Sequence, residues 1–148
     1  MDQTAQSFDV TVVGVGAMGA AALYHLARRG YRVCGIERYS PGHDLGSSHG
    51  DSRMIREAYH EHPDYVPLVR RAFAEWTELG RECGKDLLKR PGIVMVGPHH
   101  GQVLTGMRTS AALHSIQLQN LTEHDLQQRY PGLKVPVGME ACLLYTSD

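Results

Sequence analysis

Cysteine is scarce and unpaired here: Cys34, Cys83 and Cys142 are the only three, and no CxxC motif is present. An odd, scattered set excludes a disulfide framework and reads as reduced thiols in a reducing compartment. Net charge is almost absent too, at −1. That leaves no electrostatic reason to expect nucleic acid or an anionic membrane as a partner. No apolar run approaches the roughly 20 residues of a membrane-spanning helix. The opening MDQTAQSF is polar and acidic, unlike a secretory signal. Nine histidines carry no HExxH or comparable ligand spacing, so a metal site is not expected. Internal repeats and low-complexity segments are lacking.

What remains is ordinary in bulk and specific in detail. Hydrophobic residues make up 42% and charged residues 21% of 148 positions, enough for one modest domain with its own core. Residues 10–37 read VTVVGVGAMGAAALYHLARRGYRVCGIE. The order is strand, glycine turn, helix, strand, acid, and this context makes a GxGxxG motif specific. Val10, Val12 and Val13 suit a buried parallel strand. Gly14 permits a tight turn, Gly16 lets a pyrophosphate approach the backbone, and Gly19 lets the helix pack on the sheet. Free N–H groups and the helix dipole at that turn suit a diphosphate. Glu37 stands at the offset where an acid accepts hydrogen bonds from an adenosine ribose. Its charge argues for FAD or NAD over NADP, softened by the neighbouring Arg38. A glycine turn that binds no nucleotide is the plain alternative.

Beyond Arg38, residues 39–50 form a Gly/Ser/Pro/His-rich loop. Residues 51–59 suit a short helix. A longer one begins at Pro63, with Asp64 in its first turn. Tyr65, Leu68, Val69, Ala72, Phe73, Trp76 and Leu79 recur at threes and fours, an amphipathic face ending near Cys83. Trp76 is read as a packing residue on that face. Residues 92–96 form a strand closed by Gly97-Pro98, residues 102–114 a helix, and residues 116–119 a short strand. Thr122 caps a helix to Tyr130, with Asp125 three residues on, and Pro131-Gly132 stops it. The closing GLKVPVGMEACLLYTSD shows no capped helix and no completed hairpin. It is read as the end of an N-terminal piece, with the membership of residues 142–148 in the parent reading frame left open.

The second constellation is GSSHGDSRMIREAY, residues 46–59. Arg53 and Arg56 stand three apart, so on a helix both project from one face and can converge on an anion. On a strand they point to opposite faces. An isolated Arg-x-x-Arg is ordinarily solvated, or paired with acids such as Asp51 and Glu57. His49 alone is ordinarily a loop histidine.

A dinucleotide fingerprint followed closely by GSSHGDSRxxR resembles the monomeric sarcosine oxidase family. These are FAD-dependent amine oxidases that include N-methyltryptophan and pipecolate oxidases. The similarity runs from about Phe8 to about Gly138 and takes in YVPLVRRAFAEWTEL, KRPGIVMVGP and RYPGLKVP. The resemblance implies an α/β chain: a Rossmann-like FAD-binding βαβ unit, then the start of an α+β substrate domain. Residues 1–90 would be the N-terminal part of the FAD-binding domain, 91–138 the opening of the substrate domain, and 139–148 a truncated or non-native tail.

It also implies roles. Gly14, Gly16 and Gly19 would hold the FAD pyrophosphate, and Glu37, beside Arg38, the ribose. Ser47, Ser48 and His49 would pass along the cofactor. His49 and Arg53 would lie beside the isoalloxazine ring. Arg56 would pair with a substrate carboxylate, a contact suited to a guanidinium fork, and Tyr59 would lie nearby. The implied reaction oxidises a secondary amino acid such as sarcosine to an imine, with dioxygen reduced to hydrogen peroxide. The cofactor carries the redox chemistry. The partners would be a small amino acid and O2, with no nucleic acid or membrane. The full-length protein would be a cytoplasmic monomer, peroxisomal in a eukaryote. The family's flavin-linking cysteine and its functional lysines would lie past residue 148, and Cys34, Cys83 and Cys142 match none of them. An NAD-dependent dehydrogenase is the second reading, although it leaves the Ser/His/Arg segment without purpose. The third is that the isolated 148 residues have no activity.

Overall fold

The computed structural model describes residues 6–144. They form two compact units, divided in sequence between Arg53 and Met54. The first unit holds β1 (Val10–Val13), α1 (Ala17–Arg28) and β2 (Val33–Ile36). The strands are parallel, with Val10 opposite Val33 and Val12 opposite Gly35. This is the right order and pairing for a βαβ unit. Alternation puts Val10, Val12, Val33 and Gly35 on one face, and α1 lies on it: a Cβ added at Gly35 would press on Leu23 and Val15. The other face carries Val13 and Ile36, which are 82% and 52% exposed.

The second unit begins with an irregular stretch, then α2 (Tyr65–Cys83), β3 (Ile93–Pro98), α3 (Gln102–His114), β4 (Leu118–Leu121), α4 (Glu123–Arg129) and β5 (Met139–Leu144). The sheet is antiparallel in the order β3-β5-β4. Its middle strand, β5, is buried on both sides because the period of two sends alternate residues to opposite faces. Cys142 and Leu144 pack with Leu104 and Met107 of α3 and with Ala58. Ala141 and Leu143 pack with Leu121 and with Leu126 of α4. Leu104, Cys142 and Leu144 are completely buried.

Several sequence expectations need correction. Residues 51–59 contain no helix. Their carbonyls are committed elsewhere: Ser110 Oγ donates to the Tyr59 carbonyl, and Tyr59 N donates to Glu57 O at 2.9 Å. Arg53 Nη1 donates to Ser52 O at 2.6 Å. The helical premise for bringing Arg53 and Arg56 onto one face therefore fails. The buried face of α2 is Val66, Val69, Phe73 and Gly80, rotated from the expected one, so Trp76 is 47% exposed and Leu68 is 65% exposed. Helix α2 starts at Tyr65 after Asp64, two residues later than expected, and α4 stops at Arg129. Strand β4 starts two residues late, because Ser115 turns left-handed (φ 54°) and Ile116 N still bonds Ala111 O at 2.9 Å. The closing segment, given no element, supplies β5. Of the stretch 142–148, residues 145–148 lie outside the described residues.

Thr122 is the clearest local success. Its Oγ1 accepts from Asp125 N at 3.2 Å, and Asp125 Oδ2 accepts from Thr122 N at 2.9 Å. Together these form a complete capping box. Thr122→Ala should cost about 1 kcal/mol in chemical denaturation, and Thr122→Ser should cost much less. An unaltered midpoint for the alanine variant would show that the cap carries no weight.

Candidate functional site

In the first unit the site is built around the N-terminus of α1. Gly14 adopts φ 90°, a left-handed turn that a side chain would strain. A Cβ added at Gly19 would fall inside the Gly14 carbonyl oxygen and also press on Val12. The turn and the helix therefore touch backbone to backbone. Gly16 is the N-cap residue and offers no side-chain cap. Ser48 supplies one from the following loop: its Oγ accepts from Ala17 N at 3.0 Å. The same oxygen would lie 3.3 Å from a Cβ at Gly16. A hydroxyl oxygen on a first-turn amide occupies the kind of position that suits a phosphate oxygen.

Glu37 stands at the end of β2. Its Oε2 accepts from Val15 N at 2.7 Å, and its Oε1 accepts from Arg38 N at 2.7 Å. His43 Nε2 lies 3.5 Å from Oε1. The Val15 and Arg38 amides hold the carboxyl below its ordinary range. Each oxygen can accept more than one hydrogen bond, so the carboxylate retains capacity toward a ribose. Beyond the Ser48 contact to Ala17, the 46–53 loop is braced by bonds of its own. His49 Nδ1 lies 2.6 Å from Gly46 O, so Nδ1 carries the proton. Arg53 Nη2 donates to Ser47 O at 3.3 Å. Gly14, Gly16, Gly19, Glu37 and Ser48 thus form one cluster. Arg38 contributes its amide, and its guanidinium lies over the Tyr39 ring at 5.4 Å. The donor set fits a nucleotide diphosphate with an unphosphorylated ribose.

In the second unit the candidate is Arg56. Its Nη2 donates to Glu61 Oε1 at 2.5 Å and lies 3.3 Å from His60 Nδ1. The guanidinium carbon is 4.7 Å from the Tyr59 ring centroid, within cation–π range. Its Nε is shielded and finds no acceptor among the described residues. Arg56 holds Glu61 below the ordinary carboxyl range, chiefly through that hydrogen bond. Sequence reasoning missed Glu61 and His60 as partners, and His43 beside Glu37. An acid five residues from a candidate anion-binding arginine was the available signal. Glu57, the other candidate acid, is only 6% exposed and pairs with Arg70 instead.

Comparison with known proteins places the chain. The profile of the FAD dependent oxidoreductase family matches residues 9–148. The chain belongs to this family, and FAD is the family's cofactor. It is 39% identical over 127 residues to monomeric sarcosine oxidase of Streptomyces avermitilis, covering 86% of this chain and 33% of that protein. It is 38% identical over 129 residues to N-methyl-L-tryptophan oxidase of Salmonella arizonae, covering 87% and 35%. The open form of NikD, an amino acid oxidase essential for nikkomycin biosynthesis, superposes with a TM-score of 0.80 at 26% identity, over 95% of this chain and 36% of that one. The chain spans about a third of the length of the curated relatives it matches. Among the described residues no helix is long and apolar enough to cross a membrane.

The Glu37 geometry has a pH consequence. Its folded pKa lies below the ordinary value of 4.5. The stability it contributes is therefore present above pH 4.5 and lost as pH falls through the lower, folded value. Wild type and Glu37→Gln should differ in thermal stability above pH 4.5 and converge below it. A gap that stays constant down the whole acid range would contradict the assignment.

Proposed function

We propose that the polypeptide to which this chain belongs oxidises a secondary amino acid, sarcosine or a related N-methyl amino acid, to an imine and releases hydrogen peroxide. The observation that carries this reading is the state of Arg56. A guanidinium with one edge on a carboxylate, an aromatic ring beneath it and a shielded N–H without an acceptor is suited to binding the acid end of an amino acid. Glu61 holds it in a charge-assisted bond meanwhile, and a substrate carboxylate would replace Glu61. When bound, FAD supplies the two-electron acceptor.

The chain's own residues would do the holding. The α1 amides and Ser48 would take the diphosphate, and Glu37 the ribose hydroxyls. His49 and Arg53 would stand along the isoalloxazine end, where a cation stabilises negative charge. Oxidation of an N-methyl amino acid is favoured over nicotinamide chemistry by the family match and by the names of the two relatives. The word "monomeric" in one of those names supports a monomer of full length, and the composition supports a cytoplasmic location.

Full-length protein should purify yellow and yield peroxide with sarcosine or N-methyl-L-tryptophan. A colourless protein that takes nicotinamide would sink the reading. Arg56→Ala should lower kcat/KM for the amino acid by about 1.5–3 kcal/mol, the worth of a hydrogen bond to a charged group. FAD content should be retained. Unchanged kinetics would remove Arg56 from the role.

A further inference from the structure

Arg56 lies in a stretch without regular secondary structure, so something other than a helix or ladder must aim it. Four contacts do so, all within the second unit. Glu57, the next residue, is 6% exposed. Its Oε1 accepts from Arg70 Nε of α2 at 2.5 Å. The same guanidinium reaches across with Nη2 to the His114 carbonyl, at 2.9 Å, at the C-terminal end of α3. Ala58 is 2% exposed and packs with Leu104 and Met107. The fully buried Ser110 donates its hydroxyl to the Tyr59 carbonyl. Finally, a Cβ at Gly106 would fall inside the His60 carbonyl oxygen.

We infer that Arg70 is a positioning residue for substrate recognition: by clamping Glu57 to the end of α3, it fixes the backbone on which Arg56 is presented, with Ser110 as the second clamp. The inference rests on the Arg56 reading above. Its physical core is ownership of charge. Two carboxylates, Glu57 and Glu61, follow Arg56 within five residues. Glu57 is buried, and an unpaired buried carboxylate is strongly disfavoured. Arg70 satisfies it and so leaves Arg56 to the half-exposed Glu61, the partner a soluble acid can displace. Without Arg70, Glu57 must seek water or another cation, and the segment carrying Arg56 moves with it. Arg70 is 48% exposed at its side chain, so one face of the clamp remains wet while the carboxylate it holds does not.

The test uses full-length protein and two probes, the preferred secondary amino acid and its methyl ester. The ester keeps the amine and removes the charge that Arg56 reads. Wild type should prefer the acid. Arg70→Met should raise KM for the acid about tenfold with kcat nearly unchanged, and should leave the ester's kcat/KM alone, since the misplaced contact is one made equally in the ground and transition states. Arg70→Lys should recover part of the preference, because lysine can pair Glu57 but lacks the fork that also reaches His114 O. Equal losses on acid and ester would mark Arg70 as merely structural and overturn the inference. If Arg70→Met fails to fold, Arg70→Lys and Ser110→Ala carry the same comparison. An acid-to-ester ratio that both leave at the wild-type value also overturns it. A wild-type protein that ignores the difference between acid and ester overturns the Arg56 reading itself. A wild-type preference abolished by Arg56→Ala but untouched at position 70 overturns the clamp alone.

Discussion

The missing side chain at Gly19 is the constraint on which the nucleotide end depends. The Gly14 carbonyl already occupies the place a Cβ would need. Strand β1 can therefore pass into α1 through a turn tight enough to aim the helix's first amides at one point. A methyl group would push the helix off the turn, and a well-packed contact of this kind relaxes only in part. Glu37 then ties β2 to the same turn through Val15 N. The carboxylate that would face the ribose thus also holds the loop that would face the diphosphate. Candidate binding surface and scaffold are made from the same atoms.

The second unit solves its own problem by the same device. Gly106 of α3 lacks a side chain where the His60 carbonyl comes down on it. An irregular segment is laid directly on a helix, backbone to helix axis, and Ser110 one turn further on bonds the preceding carbonyl. Irregular chain normally sits on the surface because its polar groups need partners. Here partners come from α2 and α3, so residues 57 and 58 can be buried without a ladder. That burial allows Arg56 to be presented on rigid footing although it belongs to no element.

What was legible in the sequence follows the reach of each interaction. The β1–α1–β2 unit, the glycine spacing, Glu37, α3 and the Thr122 cap are set by residues within a few turns or one supersecondary unit, and periodicity and capping chemistry expose them. The conformation of residues 57–60 is set by Arg70, Gly106 and Ser110, which lie 13 to 51 residues from the groups they touch, so local propensity pointed wrongly to a helix. The rotated face of α2 has a similar origin. Val66 and Phe73 are taken into the interior by tertiary packing, while Leu68 and Trp76, equally apolar, are left outside. Strand β5 was missed because MEACLL is short and becomes a strand only between β3 and β4. Arg53 and Arg56 stand three apart in sequence, yet Arg53 bonds the Ser52 and Ser47 carbonyls in the first unit and Arg56 bonds Glu61 in the second.

Glu57 and Glu61 differ in burial, and that difference would let a short segment separate holding from the proposed recognition. Both acids are close to Arg56 in sequence, and either could neutralise it. Burial decides between them. A buried carboxylate gains most from a dedicated, well-oriented guanidinium, whereas a partly exposed pair is screened by solvent and weakly held. Glu57, with its side chain 8% exposed, takes Arg70, and Glu61, 45% exposed, takes Arg56. The pair on the buried carboxylate fixes the backbone, and the pair on the exposed one would keep Arg56 ordered but exchangeable, as the proposed substrate contact requires. Reversing the two burials would lock Arg56 inside the protein and leave its backbone unanchored. The order of these charges along the chain therefore matters as much as their presence.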